Sequence, residues 1–162
     1  MTRRVLVPSL LLLLAVALLI QLIPYRVSNP PVTLEPAWAN QRTQDLARVA
    51  CFDCHSNEVV VPWYGHVAPV AWVLRHHVDE GRALLNFSEM DRRQEEAHES
   101  GEEVREGEMP PAYYTLMHPG ARLTDAEKRE LAAGLDATLG GEGRGEGHEE
   151  GEHRRGREHD DD

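Results

Sequence analysis

Two cysteines and a histidine form the part of the sequence with the clearest chemistry. Cys51, Cys54 and His55 stand in the order Cys-Phe-Asp-Cys-His, and the chain has no other cysteine. This Cys-x-x-Cys-His spacing is the attachment signature of haem c. Two thiols about one helical turn apart can reach the two vinyl groups at one porphyrin edge, and the next imidazole can bind the iron. The motif therefore predicts one covalent haem c with His55 as the proximal iron ligand.

Other uses of the two cysteines fit the sequence less well. A thioredoxin-like dithiol requires a βαβ context, and no such pattern is visible. A structural zinc site requires four ligands, and the spacing of the histidines that could help matches no zinc finger. Those histidines are His66, His76, His77 and His118. Two cysteines also cannot build a disulfide framework for a chain of 162 residues, so a cofactor is the expected source of extra stability.

Three residues could supply a second axial ligand for the iron. Met109 is favoured, because it stands in Gly-Glu-Met-Pro-Pro outside any apolar helical stripe, and a rigid Met-Pro loop can present its thioether. His77 lies on the apolar face of a predicted helix, where a histidine is more often a hydrogen-bonded core residue. His118, in Leu-Met-His-Pro, is the third candidate. An open sixth site is the remaining alternative.

Weaker candidates for contact with a haem are two aromatic and two basic residues. Trp63 and Tyr64 could form a wall of the haem site, although a role in the core is favoured. Arg75 and Arg82 could pair with the haem propionates, since arginine favours carboxylates. Most arginines on a polar helix face, however, are only solvated.

The segments around these residues have mainly helical patterns. Apolar residues at steps of three and four predict an amphipathic helix over residues 69–85, which Asn86 ends. A weaker pattern predicts a helix over residues 37–50. The polar segment 88–106, capped at its first residue, is expected to be helical, and a Thr-Asp-Ala-Glu capping box begins a last helix over residues 124–139. No segment alternates as a strand, so an all-α fold is predicted.

An apolar stretch at the N-terminus predicts a membrane anchor. Residues 5–23 are almost wholly apolar, with Pro8 and Gln21 as the only interruptions, and about 19 such residues can cross a bilayer as a helix. Arg3 and Arg4 favour a cytoplasmic N-terminus. A cleaved signal peptide is the alternative, but the small residues of a cleavage site are missing behind the apolar run. We therefore expect a single-pass membrane protein with its domain outside the cytoplasm, which is the periplasm if the membrane is the inner membrane of a bacterium.

The composition divides the chain into four parts. The anchor occupies residues 1–25, and a proline-containing linker follows over residues 26–36. Residues 37–139 are the predicted haem-binding domain. Residues 140–162 consist of Gly, Glu, His, Arg and Asp, and we expect this acidic tail to be disordered because it has no large apolar residue to bury.

The charge of the chain limits its partners. Its 28 acidic and 17 basic residues give a formal net charge of -11, which argues against nucleic-acid binding. An acidic surface suits a basic protein partner, and such an association is sensitive to salt.

In combination, the motifs resemble the bacterial haem-binding domain family, which is related to cytochrome c. The matching segments are Cys-Phe-Asp-Cys-His-Ser-Asn from residue 51, Pro-Trp-Tyr from 62, His-Val-Asp-Glu-Gly-Arg from 77, Leu-Asn-Phe-Ser from 85 and Glu-Gly-Glu-Met-Pro from 106, with Tyr114 and His118. The resemblance covers residues 37–139 and includes the anchor. It implies haem c in a small helical domain. It also raises His77, Met109 and His118 above ordinary core residues. Asn86 is counted among the expected cofactor-binding residues as well.

Three functions are compatible with these features. A haem closed by two axial ligands and anchored beside membrane redox proteins would transfer single electrons, and this non-enzymatic function is favoured. An open sixth site would instead suit a sensor of small ligands or a peroxidase-like protein, with His77 as a distal acid–base group. A purely structural haem is a third possibility, whereas haem delivery is disfavoured because a thioether-linked haem does not leave.

Overall fold

The computed structural model describes residues 2–94 and 96–140. Within these residues the chain is helical and contains no β-strand, so the predicted all-α fold is confirmed. The predicted disordered tail lies outside the described residues, apart from Gly140. The α-helices are α1 (Thr2–Leu19), α2 (Gln41–Ala50), α3 (Phe52–His55), α4 (Val70–Leu84), α5 (Ser100–Glu106), α6 (Ala112–Met117) and α7 (Asp125–Leu139). Short 3₁₀ turns cover Ile20–Leu22, Trp63–His66, Ala97–Glu99 and Pro119–Ala121.

The first helix has the properties of a membrane span. The segment Val5–Leu22 is long and apolar enough to cross a bilayer, and none of it is buried against the rest of the chain. A helix of a water-soluble domain normally buries its apolar residues. The exposed leucines of α1 therefore require another apolar environment, although a signal sequence has the same properties.

Helix α7 forms the base on which α2 and α5 pack. The predicted capping box is present, because the Thr124 side chain accepts from the Glu127 N–H while the Glu127 carboxylate accepts from the Thr124 N–H. This satisfies two backbone donors at the start of the helix. The buried face of α7, which includes Leu131 and Leu135, belongs to one core together with Leu46 of α2 and Val104 of α5.

Three aromatic rings fill the space between this core and the Cys-x-x-Cys-His segment. The Phe52 and Phe87 rings are stacked with centroids 5.5 Å apart, and the Trp38 ring lies 5.2 Å from that of Phe87. Phe52 and Phe87 are buried. Because Phe52 lies between the two cysteines, its burial fixes α3 to the core.

The polar segment after Ser88 corrects the sequence prediction. No α-helix begins at Ser88, and residues 88–94 form turns before a helix starts at Ser100. The Ser88 hydroxyl accepts from the backbone N–H of Asn57 instead of capping a helix. The Gln94 side chain accepts from the Asn86 N–H and donates to the Glu89 carbonyl. These long-range and turn contacts replace the helical hydrogen bonds that the polar composition suggested.

The close packing of α5 on α7 leads to a stability prediction. A Cβ atom on Gly101 would lie 2.8 Å from the Ala132 carbonyl oxygen and 2.0 Å from an Asp136 carboxylate oxygen. Overpacking of this kind costs about 1–3 kcal/mol, while alanine recovers up to about 1 kcal/mol of helix propensity. We expect the overpacking cost to exceed this gain, so Gly101→Ala should lower the free energy of unfolding by about 1 kcal/mol, measured by chemical denaturation.

The matched control for this prediction is Gly120→Ala. A Cβ atom on Gly120 would meet no atom within 4 Å. The free energy of unfolding of this variant should therefore differ from that of the natural protein by less than about 0.5 kcal/mol. Equal stabilities of the two variants would contradict the close α5–α7 contact.

Candidate haem-binding site

A cavity of about 580 Å³ lies between α3, α4, α5 and α6. Its volume falls within the range of roughly 300–1,000 Å³ that is usual for ligand and cofactor sites. The apolar part of its wall includes Ala50, Leu84, Leu85, Phe87, Val104 and Leu135. Cys51, Cys54, His55, His77 and Met109 line the same cavity. Five of the residues singled out in the sequence therefore come together in one place.

Helix α3 is a single turn that presents both cysteines to the cavity. The N–H groups of Cys54 and His55 both donate to the Cys51 carbonyl oxygen, at 3.1 and 2.9 Å. Gly81 of α4 allows this turn to approach, because a Cβ atom there would lie only 2.7 Å from the Cys54 carbonyl oxygen. Burial raises the pKa of Cys51 to about 12 and that of Cys54 to about 11. Both thiols are therefore neutral near pH 7.

The His55 ring is oriented by a backbone carbonyl. Its Nδ1 atom lies 3.1 Å from the Leu85 carbonyl oxygen, which can only accept, so the proton belongs on Nδ1. The Phe87 N–H also donates to the His55 carbonyl, at 2.8 Å. Burial lowers the pKa of His55, which favours the neutral ring. The Nε2 lone pair is thereby left for an iron ligand bond.

A buried polar network holds the segment that supplies the Leu85 carbonyl. The Asn86 side chain donates to the Asn57 side-chain oxygen at 2.9 Å and accepts from the Ser88 N–H at 3.0 Å. The Asn57 N–H donates in turn to the Ser88 hydroxyl at 2.9 Å. Asn86 is 1% exposed and does not line the cavity. It acts on the site by positioning Leu85 and Phe87 around His55. Asn57 belongs to the Cys-Phe-Asp-Cys-His-Ser-Asn segment of the resemblance, but its contact with Asn86 was not predicted.

Two of the three proposed sixth ligands line the cavity, and the third does not. Met109 follows α5, whose C-cap residue Gly107 has the left-handed conformation (φ 83°), and the Met109 N–H donates to the Glu103 carbonyl. His77 lies on α4 with its ring 5.4 Å from the Tyr113 ring. His118 is not part of the cavity wall. Its ring stacks on Tyr114 at 4.1 Å, with Nδ1 3.1 Å from the Tyr114 carbonyl oxygen.

Tyr114 connects α6 to the cysteine motif. It lines the cavity, and its hydroxyl donates to the Asp53 carboxylate at 2.8 Å. Burial, with the adjacent Asp53, raises the pKa of Tyr114 above its ordinary value, so the hydroxyl keeps its proton. Asp53 occupies a variable position of the motif, and the sequence alone assigned neither residue a role at the site.

The remaining sequence candidates lie outside the cavity wall. Trp63 is 80% exposed, so the expectation that it fills the core is wrong, and neither Trp63 nor Tyr64 lines the cavity. The Arg82 guanidinium donates to the carbonyl oxygens of Ser56 and Ser28, and Arg75 pairs with Asp79. The geometry therefore does not support either arginine as a propionate partner. In the linker, the backbone carbonyl oxygens of Arg26 and Ser28 accept hydrogen bonds from Arg75 and Arg82, respectively.

Acidic side chains surround the cavity. Glu80, Glu96, Glu99 and Glu103 contribute to its wall, and no lysine or arginine of the described residues does. A ligand that carries carboxylates would therefore direct them towards solvent and not towards this wall.

The residues of the cavity fit a haem better than a bare metal ion. No cluster of three or more His, Cys, Asp and Glu side chains within residues 2–94 and 96–140 could hold a metal ion. The cavity instead combines apolar walls with two thiols, a neutral imidazole and a thioether. A small helical domain with this set of groups belongs to the class of haem-binding proteins.

Comparison with known families agrees with this classification. A family model described as a haem-binding domain matches residues 15–137. The chain therefore belongs to the haem-binding domain family, and it is a haem-binding protein. No curated protein and no solved structure matches it.

Proposed function

We propose that this chain is a membrane-anchored c-type cytochrome that carries one covalently attached haem and transfers single electrons. The observation that carries the proposal is the set of groups in one cavity: the thiols of Cys51 and Cys54, the oriented imidazole of His55 and the thioether of Met109. An electron carrier requires no further acid, base or nucleophile. This arrangement is sufficient for that function and is not typical of an enzyme that acts on an organic substrate.

Cys51 and Cys54 would attach the haem through thioether bonds. Each thiol would add across one vinyl group, so that its sulfur would bond to the carbon next to the ring and its hydrogen would go to the terminal carbon. No oxidant is consumed. Because the two residues share one helical turn and one cavity, a single haem satisfies both of them.

His55 and Met109 would hold the iron from the protein side. When bound, the haem supplies a one-electron iron couple whose potential a Met/His ligand pair raises. The Leu85 carbonyl keeps the Nδ1 proton of His55 in place, so the ring presents the same nitrogen in both oxidation states. A methionine ligand would exclude small ligands from the iron, as suits a carrier that exchanges only electrons.

The glutamates around the cavity support a redox partner with a basic docking face. Glu80, Glu96, Glu99 and Glu103 lie at the cavity where electrons would enter and leave. They favour a protein with a basic docking face, and the rate of association should fall as ionic strength rises.

Helix α1 would place the domain at a membrane. Its apolar length is sufficient for a span, and the arginines in its first residues favour a cytoplasmic N-terminus. This orientation puts the haem domain in the periplasm of a bacterium, beside membrane-bound redox proteins.

A ligand sensor or peroxidase-like protein is the second candidate function. His77 lines the same cavity beside Tyr113, so a titratable group is available near a haem whose sixth position is open. General acid–base catalysis requires such a group within hydrogen-bond reach of the bound ligand.

The absorption spectrum of the full-length protein distinguishes the two functions. For a closed electron carrier we expect a low-spin spectrum, a weak near-infrared sulfur–iron band in the oxidised form and no change of the reduced form with carbon monoxide. A reversible one-electron titration should accompany it. A high-spin spectrum that shifts fully with carbon monoxide would reject the closed carrier in favour of the sensor or peroxidase-like function.

A further inference from the structure

A short segment of the domain, residues 60–73, carries five large apolar side chains that are exposed to solvent. They belong to Val60, Trp63, Val67, Val70 and Val73, and we call this set the apolar face. Their exposed fractions run from 45% for Val70 to 80% for Trp63. Exposed apolar residues that stand singly need no explanation, but a group of them marks an interaction site.

The end of the apolar N-terminal helix meets the domain beside this face. The Gln21 side chain accepts from the Ala68 N–H at 2.9 Å and donates to the Ala68 carbonyl at 3.1 Å. Ala68 lies between Val67 and Val70, and Trp63 is five residues earlier. This pair of hydrogen bonds places the apolar face beside the last residues of the apolar N-terminal segment, where the 3₁₀ turn Ile20–Leu22 follows α1.

A second contact holds the chain in the same place after α1. Arg26 donates to the His66 carbonyl at 2.7 Å, and Arg75 donates to the Arg26 carbonyl at 2.7 Å. The Arg75 guanidinium also lies 5.4 Å from the centre of the Tyr25 ring. The domain is therefore joined to the base of α1 by several contacts and not only by a linker.

The charge pattern separates this face from the rest of the molecule. The chain has 28 acidic residues, yet residues 1–34 and 59–78 contain none. These two segments are the ones that contact each other through Gln21, Arg26 and Arg75. Anionic lipid headgroups repel acidic surfaces, and Asp79, which contacts Tyr25 at this junction, is paired with Arg75. These two segments are therefore suited to lie close to a bilayer.

We propose that the apolar face rests on the headgroup region of the bilayer that α1 spans, with Trp63 as an interfacial anchor. Tryptophan is enriched at this depth because its ring is apolar and its indole N–H is polar. The inference rests on the proposed membrane span of α1. The contact would fix the orientation of the domain relative to the bilayer. Helix α4 runs from Val70 in the apolar face to His77 at the cavity, so about 10 Å of helix separates the two. The redox partner would then be a protein held at the same membrane surface.

Lipid photo-crosslinking tests this contact in the full-length chain. A photo-reactive diazirine analogue of phenylalanine replaces Trp63, and the protein is reconstituted in nanodiscs of phosphatidylglycerol and phosphatidylcholine. The same analogue replaces Leu14 of α1 in a second sample, to report on the span itself. In a third it replaces Val49, an exposed apolar residue of α2, as the matched control. Lipid adducts are measured by mass spectrometry after illumination.

We expect lipid adducts at positions 14 and 63, with several-fold fewer at position 49. Adducts at position 14 together with none above the control at position 63 would overturn the apolar-face proposal while leaving the anchor intact. Crosslinks from position 63 to a second copy of the chain would overturn it in favour of a dimer contact. Absence of adducts at position 14 would reject the span, and the apolar-face proposal with it.

Discussion

The double variant Cys51→Ala, Cys54→Ala is expected to lose all haem staining on a denaturing gel. Covalent haem survives denaturation, whereas a haem held by axial ligands and packing leaves the unfolded chain. These are the only cysteines of the protein, and both line the cavity, so no other thiol can replace them. The loss of staining should be complete. The folded double variant should also show less haem absorbance, because axial ligands and packing alone hold haem more weakly than two thioether bonds do.

Single variants provide the control for this result. Cys51→Ala and Cys54→Ala should each keep one thioether and so retain staining, at a reduced yield. Met117→Ala, which changes an exposed residue outside the cavity, should stain as the natural protein does. Staining of the double variant at the natural level would show that the haem is held by a different bond.

The helices that could be predicted from sequence are those with local causes. The Thr124 capping box and the apolar spacing of residues 69–85 correctly indicated α7 and α4, which begin at Asp125 and Val70. Both patterns involve residues within one or two helical turns of each other, so they can be recognised without knowledge of the tertiary fold. The helix expected over residues 37–50 begins only at Gln41, where the Asn40 side chain accepts from the Thr43 N–H.

The segments that could not be predicted depend on distant partners. Residues 88–94 turn because Asn86 bonds to Asn57, which is 29 positions away, and to Gln94. Composition alone made the same segment look helical. Trp63 is exposed although an aromatic residue is more often buried, and nothing local distinguishes the two cases.

The candidate site likewise has features that follow from local sequence and features that depend on distant residues. The Cys-x-x-Cys-His spacing is local, and it correctly predicted a haem-binding domain. The partner of His55 is the carbonyl of Leu85, a backbone atom that no side-chain pattern can reveal. Tyr114 reaches Asp53 across 61 positions, and the Arg82 guanidinium donates to the backbone carbonyl oxygens of Ser56 and of Ser28 in the linker. Sequence therefore predicted which groups could do chemistry but not the residues that orient them.

Met109 and His77 are both candidates for the sixth iron ligand, because both line the same cavity. Met109→Ala is expected to convert the haem from low spin to high spin, to remove the near-infrared sulfur–iron band and to let the reduced form bind carbon monoxide. The reduction potential should also fall, because a methionine ligand raises it relative to water or a second imidazole. Met109 is favoured because it follows the glycine-capped end of α5 and is held by the Glu103 carbonyl, whereas the His77 ring packs beside that of Tyr113.

His77→Ala is the matched variant, since it removes the competing ligand from the same cavity and should leave the sulfur–iron band unchanged. Met109→His should restore a low-spin haem with a lower potential than the natural protein. Together these variants separate loss of a ligand from loss of folding, which would affect all three. If His77→Ala opened the site to carbon monoxide while Met109→Ala did not, the iron would have two histidine ligands. The carrier would then work at a lower potential than a His55/Met109 pair provides.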